Sequence, residues 1–265
     1  MNESPALQPS RWTAGFNWLV LACLVLPIAI VLPVSLTDKT YLSLPVNGLS
    51  LDHYRHLFGS AEWWGSFGQS AAIAGGSTVI AVFAGTLCTV GCWLLSARLA
   101  GPVRLLMLLP LVIPSVVYAL GIFKFYIGLK LLDTYAGVVI AHAVTGIPYV
   151  VITASASLAS FDDKLLQAAR GLGATLPQAL RLVLLPAIMP GVVSGALLSF
   201  MHSWDELVIV LFIASRAIFT VPRRIWDGIN DQLDPTIAAV AVMLVLISIA
   251  LMVLNQRAAT RGEAG

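Results

Sequence analysis

Long apolar stretches, separated by short polar segments, dominate the pattern along this chain. Six of them are long enough to cross a hydrocarbon layer of roughly 30 Å as helices of about 20 residues. They are continuous apolar runs and lack the alternation of membrane β-strands. The pattern therefore predicts an all-α membrane protein with six transmembrane helices in one domain, 1–265, with spans near 12–37, 66–97, 105–127, 134–160, 186–214 and 235–256.

Composition strengthens this prediction. Charged residues make up 11% of the chain and mean hydropathy is +0.90, whereas soluble domains carry about 25% charged residues. Most of the surface must therefore face lipid. The net charge of +2 is small and the basic residues are scattered, which argues against a nucleic-acid partner. The three cysteines lie in apolar runs far in sequence from any histidine or carboxylate, so packing is favoured over a metal or redox site.

Several residues inside the spans carry specific expectations. Pro110 and Pro114 interrupt the third span, either as a kink for packing or as a hinge beside a pathway. Gly191 and Gly195 form a Gly-x-x-x-Gly pattern, which predicts close contact with another helix. His142 lies inside the fourth span and is expected to form a hydrogen bond across the helix bundle.

The polar segment 161–182, between the fourth and fifth spans, has strong local signals. Ser160 and Asp163 have the spacing of a capping box, which predicts a short amphipathic helix over 161–171. Gly171 and Gly173 end it, and either can adopt the positive φ of a tight turn.

A second capping box follows, formed by Thr175 and Gln178, with Pro177 in the first helical turn where its missing N–H costs nothing. The sequence therefore predicts a helix, a sharp turn and a second helix before the fifth span. A projecting helical hairpin of this kind suits insertion into a cleft on another protein.

This segment resembles the "EAA" loop of ABC-importer permeases, which receives the ATP-hydrolysing subunit. Five residues match that pattern at the family spacing, while Gln167 stands in place of its glutamate and Val183 in place of its isoleucine. The matching residues are Ala168, Ala169, Gly173, Leu185 and Pro186. The resemblance implies that Gln167 and these five residues contact an ATPase, with Gln167 offering hydrogen bonds but no charge.

The resemblance also implies an architecture: the MetI-like, type I importer permease fold with a cytoplasmic coupling helix. Its implied partners are an ATPase dimer, a second permease subunit of a different sequence, a periplasmic substrate-binding protein and membrane lipid. The sequence contains no Gly-x-x-x-x-Gly-Lys-[Ser/Thr] motif. We therefore expect no enzymatic activity and no cofactor on this chain, with ATP and Mg²⁺ bound by the partner ATPase.

Six spans place both termini on the same side of the membrane. With the termini in the cytoplasm, eight basic residues lie inside and seven outside, and the short loop carrying Arg98 and Arg104 favours this orientation. The run 12–37 is too long for a cleaved signal peptide and lacks a clear cleavage site. The resemblance to ABC-importer permeases implies the bacterial inner membrane and decides the orientation, so we expect a multi-pass protein with cytoplasmic termini.

The pair Asp205 and Glu206 interrupts the apolar fifth span. An acid near the membrane centre costs about 2.5–3.5 kcal/mol on insertion scales, so such a pair indicates a water-filled cavity, a partner or a ligand. The alternative is that the span ends at Trp204 and both acids lie outside. Because adjacent helical residues point about 100° apart, we expect Asp205 to face the pathway and Glu206 to face a neighbouring helix or the outer rim.

The stretch around the acidic pair resembles spermidine/putrescine importer permeases. The resemblance rests on Ser199-Phe200 and on Ser203-Trp204-Asp205-Glu206-Leu207-Val208-Ile209, and also on the segments around Pro110, His142 and Pro148. It implies a polyamine or another small cationic solute as substrate. Aromatic rings attract ammonium groups, so the expected pathway residues are Asp205, Glu206, Trp204, Tyr118 and Tyr149.

Two alternatives remain open. Within the same family, the substrate is an opine, another amine compound or iron. From a different class, the chain is a secondary transporter or a membrane scaffold without an ATPase, although one acidic pair and no clear internal repeat fit a secondary transporter poorly. No catalytic residues and no metal site are predicted, and His53 and His56 are interpreted as a solvated or interfacial pair.

Overall fold

The computed structural model describes residues 11–46, 48–95, 97–214, 216–231 and 234–263. Within these ranges the chain is helical and contains no β-strand, which confirms the predicted all-α class. The helices are α1 (Arg11–Ser35), α2 (Asp52–Gly59), α3 (Ala61–Leu94), α4 (Ala97–Leu108), α5 (Ser115–Leu129), α6 (Tyr135–Ala159), α7 (Asp163–Gly171), α8 (Leu176–Ala179), α9 (Leu185–Asp205), α10 (Val208–Ile213), α11 (Val221–Asp231) and α12 (Thr236–Glu263).

Four stretches of the described chain are long and apolar enough to cross a membrane on their own. They are Gly15–Ser35, Ala61–Leu94, Tyr135–Ala159 and Leu176–Asp205. A bent pair, Arg98–Leu111 with Ser115–Leu129, makes a fifth if both arms count as one span. The last predicted span contains a shorter apolar helix, Thr236–Ala250.

The stretch predicted as one span over 105–127 consists of two helices that meet at 102°. A 3₁₀ turn, Leu109–Leu111, follows α4, and α5 begins only after Pro114, whose ψ of 134° is not helical. Pro110 and Pro114 each lack a backbone N–H, so the helical hydrogen bonds cannot continue through this region. The prolines therefore produce a sharp corner and not a mild kink.

The stretch predicted as one span over 186–214 is also broken. Helix α9 ends at Asp205, Glu206 adopts an extended conformation with ψ 117°, and the short helix α10 follows. At its other end α9 begins earlier than predicted, because α8 continues into it through a π-helical turn, Leu180–Leu184.

Contacts divide the chain into two units, and the larger comprises 61–226 with 247–265. Its centre is the mutual packing of α3, α6 and α9. Glycines allow these helices to approach closely. A Cβ on Gly85 would lie 2.8 Å from Cβ of Val150, and one on Gly195 would lie 2.7 Å from Cα of Val150. A Cβ on Gly191 would overlap the side chain of Ser157, so the predicted close contact of Gly191 and Gly195 is confirmed.

The smaller unit comprises the described residues before 61 together with those of 227–246. The hydroxyls of Ser35 and Tyr54 lie 2.8 Å apart and join α1 to α2. His53 Nε2 lies 3.0 Å from the carbonyl oxygen of Lys39, and His56 Nδ1 lies 3.5 Å from Thr236 Oγ1. The two histidines therefore have separate partners.

Candidate coupling segment and acidic cavity

Helix α7 begins at Asp163, two residues later than a cap at Ser160 would require. The side chain of Asp162 accepts a hydrogen bond from the backbone N–H of Lys164 at 2.9 Å, so Asp162 is the N-cap. Ser160 instead has helical dihedrals and its N–H donates to the carbonyl of Ser157, which closes the end of α6. The predicted Ser160–Asp163 capping box is therefore wrong, because Ser160 is the C-cap of the preceding helix.

The turn after α7 depends on Gly173. Its φ is +93°, a region in which side chains other than glycine are strained. The N–H of Gly173 donates to the carbonyl of Arg170, and the N–H of Ala174 donates to the carbonyl of Ala169. These two bonds satisfy carbonyls that the end of a helix leaves without partners. Gly171 lies within α7, so the positive φ falls on Gly173 alone of the two predicted glycines.

The second helix of the predicted hairpin is not separate from the fifth span. Gln178 Oε1 accepts hydrogen bonds from the backbone N–H and the hydroxyl of Thr175, at 2.8 and 2.9 Å, and Pro177 lies in the first turn as predicted. Helix α8 then continues without a break into α9. The π-helical turn between them is a rare feature that is frequent at functional sites.

The predicted coupling residues divide between the exterior and the core. Gln167 and Ala168 are exposed on α7, whereas Ala169 packs against the cluster around Leu166 and Ile188. Leu185 is half-buried and Pro186 is exposed at the start of α9. Leu172, at the tip of the turn, is 90% exposed. The sequence analysis missed Leu172, although a leucine between two glycines at the end of a helix is a recognisable signal.

The acidic pair lies beside a cavity of about 290 Å³. Its lining is Tyr149, Leu198, Met201, His202, Asp205 and Glu206. Asp205 is exposed at the last position of α9. Glu206 Oε1 accepts a hydrogen bond from the backbone N–H of Ile209 at 3.1 Å, which caps the first turn of α10. Glu206 therefore stabilises the start of α10, whereas Asp205 remains exposed beside the cavity.

His202 completes this cavity and was not predicted as a site residue. Its ring centroid lies 5.1 Å from that of Tyr149, and Nδ1 lies 3.5 Å from the Tyr149 hydroxyl. His202 and Asp205 are three residues apart on α9, a spacing that places side chains on one helix face. That spacing was the signal available in the sequence.

Two of the predicted pathway residues do not line the cavity. Trp204 is 7% exposed and stacks on Phe200 with centroids 5.7 Å apart and planes at 22°. Tyr118 is half-buried, and its hydroxyl donates to the carbonyl of Ala141 at 2.9 Å. Of the five predicted residues, the cavity brings together Tyr149, Asp205 and Glu206.

A buried polar chain joins the three central helices. His142 Nδ1 on α6 lies 2.8 Å from Ser203 Oγ on α9, and Ser203 Oγ lies 3.0 Å from Ser77 Oγ on α3. His142 is 1% exposed, and the contact confirms its predicted hydrogen bond across the bundle.

Asp133 fixes the connection that follows α10. Its Oδ1 accepts hydrogen bonds from the backbone N–H groups of Ala217 and Arg216, each at 3.0 Å, and its own N–H donates to the carbonyl of Ile213 at 2.8 Å. The donors at Ala217 and Arg216 favour the carboxylate and lower the pKa of Asp133. Asp133 has φ +59°, a conformation that aspartate tolerates better than most residues.

The described part of the chain is helical and has several helices of membrane length, which defines a polytopic α-helical membrane protein. Residues 77–261 match the family of binding-protein-dependent transport system inner membrane components. Because that match covers more than half of the chain, the protein belongs to this family and is the permease subunit of an ABC importer.

Known relatives match along nearly the whole chain. The spermidine/putrescine transport system permease protein PotC of Haemophilus influenzae is 29% identical over 242 residues, covering 91% of this chain and 94% of PotC. The trehalose transport system permease protein SugB of Mycobacterium tuberculosis is 29% identical over 269 residues, covering 97% and 96%. The crystal structure of a bacterial ABC transporter that imports alginate contains a chain with the same fold, at a TM-score of 0.71, 17% identity and coverage of 96% and 99%.

Proposed function

We propose that this permease subunit carries polyamines, or a related small cationic solute, across the bacterial inner membrane by alternating access driven by a separate ATPase. The observation that carries the substrate proposal is the cavity formed by Tyr149, His202, Asp205 and Glu206. Similarity to the spermidine/putrescine permease PotC over 91% of the chain supports it.

The chemistry of the cavity suits an ammonium group. The Asp205 carboxylate attracts positive charge, and the π faces of the Tyr149–His202 pair can contact a cation or the methylene groups between two amines. An alkyl diamine presents charged ends joined by apolar carbon, which matches this alternation of acid and ring.

The exposed surface of segment 161–182 supports its role as the ATPase contact. Gln167, Ala168 and Leu172 are exposed on α7 and its turn, so the segment presents polar and apolar surface to a partner. The hydrogen bonds at Asp162 and at Gly173 hold this surface in a fixed shape. We propose that it transmits the closing of an ATPase dimer, which binds ATP and Mg²⁺, to α9.

The remaining parts of the proposal concern assembly and topology. We propose six spans, with α12 and the α4–α5 pair completing the set, and both termini in the cytoplasm. The partners are an ATPase dimer, a second permease of different sequence and a periplasmic binding protein. Cysteine labels at Ser160 and Thr175, in a chain lacking the native cysteines, should react from the cytoplasm only, and a label at Asp231 from outside only. The reverse pattern would overturn the coupling role.

A second candidate substrate is an uncharged sugar, which the similarity to the trehalose permease SugB favours. The purified complex in proteoliposomes distinguishes the candidates. Its ATPase rate should rise with binding protein loaded with spermidine or putrescine and not with trehalose. Stimulation by trehalose alone would replace the polyamine proposal with the sugar, and absence of any co-purifying ATPase would remove the importer assignment itself.

A further inference from the structure

A second cavity, of about 550 Å³, lies where the C-terminal ends of α3 and α6 approach α4 and the start of α7. Its lining includes Thr89, Trp93, Gly101, Arg104, Phe161 and Asp163. The volume falls within the range of about 300–1,000 Å³ typical of small-molecule sites. The transport pathway proposed above does not use any of these residues.

Two opposite charges line this cavity. Arg104 comes from α4 and Asp163 from the first position of α7, and both are exposed. Across the described ranges no ion pair joins either residue to another. The C-terminal ends of α3 and α6 add partial negative charge, because their last carbonyls point out of the helices. The cavity therefore offers one site for an anion and another for a cation.

The interior between the charges is mainly apolar, with one buried hydroxyl. Trp93 and Phe161 meet edge to face with centroids 6.2 Å apart. Thr89 is 3% exposed, and its Oγ1 has no hydrogen-bond partner among the residues that the structure describes. A buried hydroxyl normally forms a hydrogen bond. An oxygen of a molecule bound in this cavity would accept one from Thr89.

The position of the cavity indicates what kind of molecule reaches it. It lies at the C-terminal ends of α3 and α6, and both helices are long enough for their ends to reach the lipid headgroups. The outer surface of α4 beside it is apolar and exposed at Leu99, Leu105 and Leu106, which is the character of a lipid-facing surface. A lipid can therefore enter the cavity from the bilayer.

We propose that this cavity binds one zwitterionic aminophospholipid. The phosphate lies at Arg104, the ammonium at Asp163, and the first acyl carbons against Trp93 and Phe161. The Thr89 hydroxyl donates to an ester or phosphate oxygen. Because Asp163 begins α7, the bound lipid connects the proposed coupling segment to α4.

The test uses the complete transporter complex, stripped of lipid in detergent and examined by native mass spectrometry. Phosphatidylethanolamine, phosphatidylglycerol and phosphatidylcholine with the same acyl chains are the probes, because the second lacks an ammonium and the third has no N–H donor. Retention of phosphatidylethanolamine should exceed that of both others by about tenfold, the order of change for one lost charge-assisted hydrogen bond.

Arg104→Gln and Asp163→Asn should each reduce retention of phosphatidylethanolamine by about the same factor. Arg98→Gln is the matched control, since Arg98 is exposed on the same helix and does not line the cavity; it should bind as the wild type does. Gly101→Leu fills the cavity without altering charge, and a Cβ at Gly101 meets no atom within 4 Å, so it should fold and lose the lipid.

Three outcomes would overturn the proposal. If phosphatidylcholine is retained as strongly as phosphatidylethanolamine, the N–H donors of the ammonium group do not contribute to binding. If phosphatidylglycerol is retained as strongly as phosphatidylethanolamine and Asp163→Asn has no effect, the cavity binds only the phosphate. Full competition by soluble glycerophosphoethanolamine at the same concentration as the lipid would show that the acyl chains contribute nothing.

Discussion

The ring of Tyr149 on α6 and the imidazole of His202 on α9 face each other with centroids 5.1 Å apart. Asp205 lies one turn beyond His202 and lines the same small cavity. Helices α6 and α9, which are distant in sequence, thus place an aromatic pair and a carboxylate in the same cavity. The polyamine proposal depends on this arrangement more than on the acidic pair alone.

The turn at Gly173 gives the first prediction. Gly173→Val places a β-branched side chain at φ +93°, with strain of about 1 kcal/mol or more. We expect the complex to assemble and insert, while stimulation of the ATPase by the loaded binding protein is lost. Gly171→Ala is the control, because Gly171 lies within α7 and a Cβ there meets open space. Normal stimulation in Gly173→Val would contradict the coupling role of this turn.

A second prediction concerns the contact between α6 and α9. Gly195→Ala should destabilise the subunit by about 1–3 kcal/mol, as overpacking does, because the added Cβ would lie 2.7 Å from Cα of Val150. Gly121→Ala in α5 should be neutral or stabilising, since a Cβ there meets nothing within 4 Å. Thermal unfolding of the detergent-solubilised complex measures both. Equal unfolding temperatures for the two variants would show that α6 and α9 can move apart to admit a methyl group without loss of stability.

The buried chain at Ser203 gives a third prediction. Ser203→Ala leaves His142 Nδ1 without its partner, which should cost about 1–3 kcal/mol. Ser199→Ala, on the same helix, removes a buried hydroxyl that has no partner among the described residues, and it should cost little. The comparison of their unfolding temperatures is the measurement. If the two substitutions lower stability equally, the His142–Ser203 hydrogen bond contributes nothing beyond packing.

Asp133 predicts a pH dependence of stability. Its pKa in the folded protein lies below the ordinary value of 3.8, chiefly because Ala217 and Arg216 donate to it. The contribution of the carboxylate is therefore present above pH 3.8 and is lost as the pH falls through the lower folded value. Asp133→Asn should lower the unfolding temperature at neutral pH, and the difference from wild type should shrink in acid. A difference independent of pH would assign the effect to shape alone.

Local sequence signals predicted part of the shape of segment 161–182, because neighbouring residues set that part. Gly173 has the positive φ, and Gln178 accepts from Thr175 as the capping pattern indicated. The error at Ser160 arose because Ser160 and Asp162 are both good caps. The choice between them depends on where α6 ends, which tertiary packing decides.

The sequence predicted where the apolar helices lie better than it predicted where they bend or break. Charge-free runs locate apolar helices, yet they do not reveal that the chain turns by 102° near Pro110 and Pro114. Hydropathy also continued past Asp205, whereas the backbone becomes extended at Glu206. The pairing of Tyr149 with His202 joins residues 53 positions apart, and no local pattern encodes such a contact.

The most direct test of the cationic pathway compares two neighbouring carboxylates. Asp205→Asn keeps the size of the side chain and removes the charge, while Glu206→Gln keeps an oxygen that can still cap α10 at Ile209. The measurement is the maximal rate of uptake of radiolabelled spermidine or putrescine into proteoliposomes with matched protein levels. We predict that Asp205→Asn lowers this rate several-fold and that Glu206→Gln lowers it less. Transport by Asp205→Asn at the wild-type rate would contradict the account.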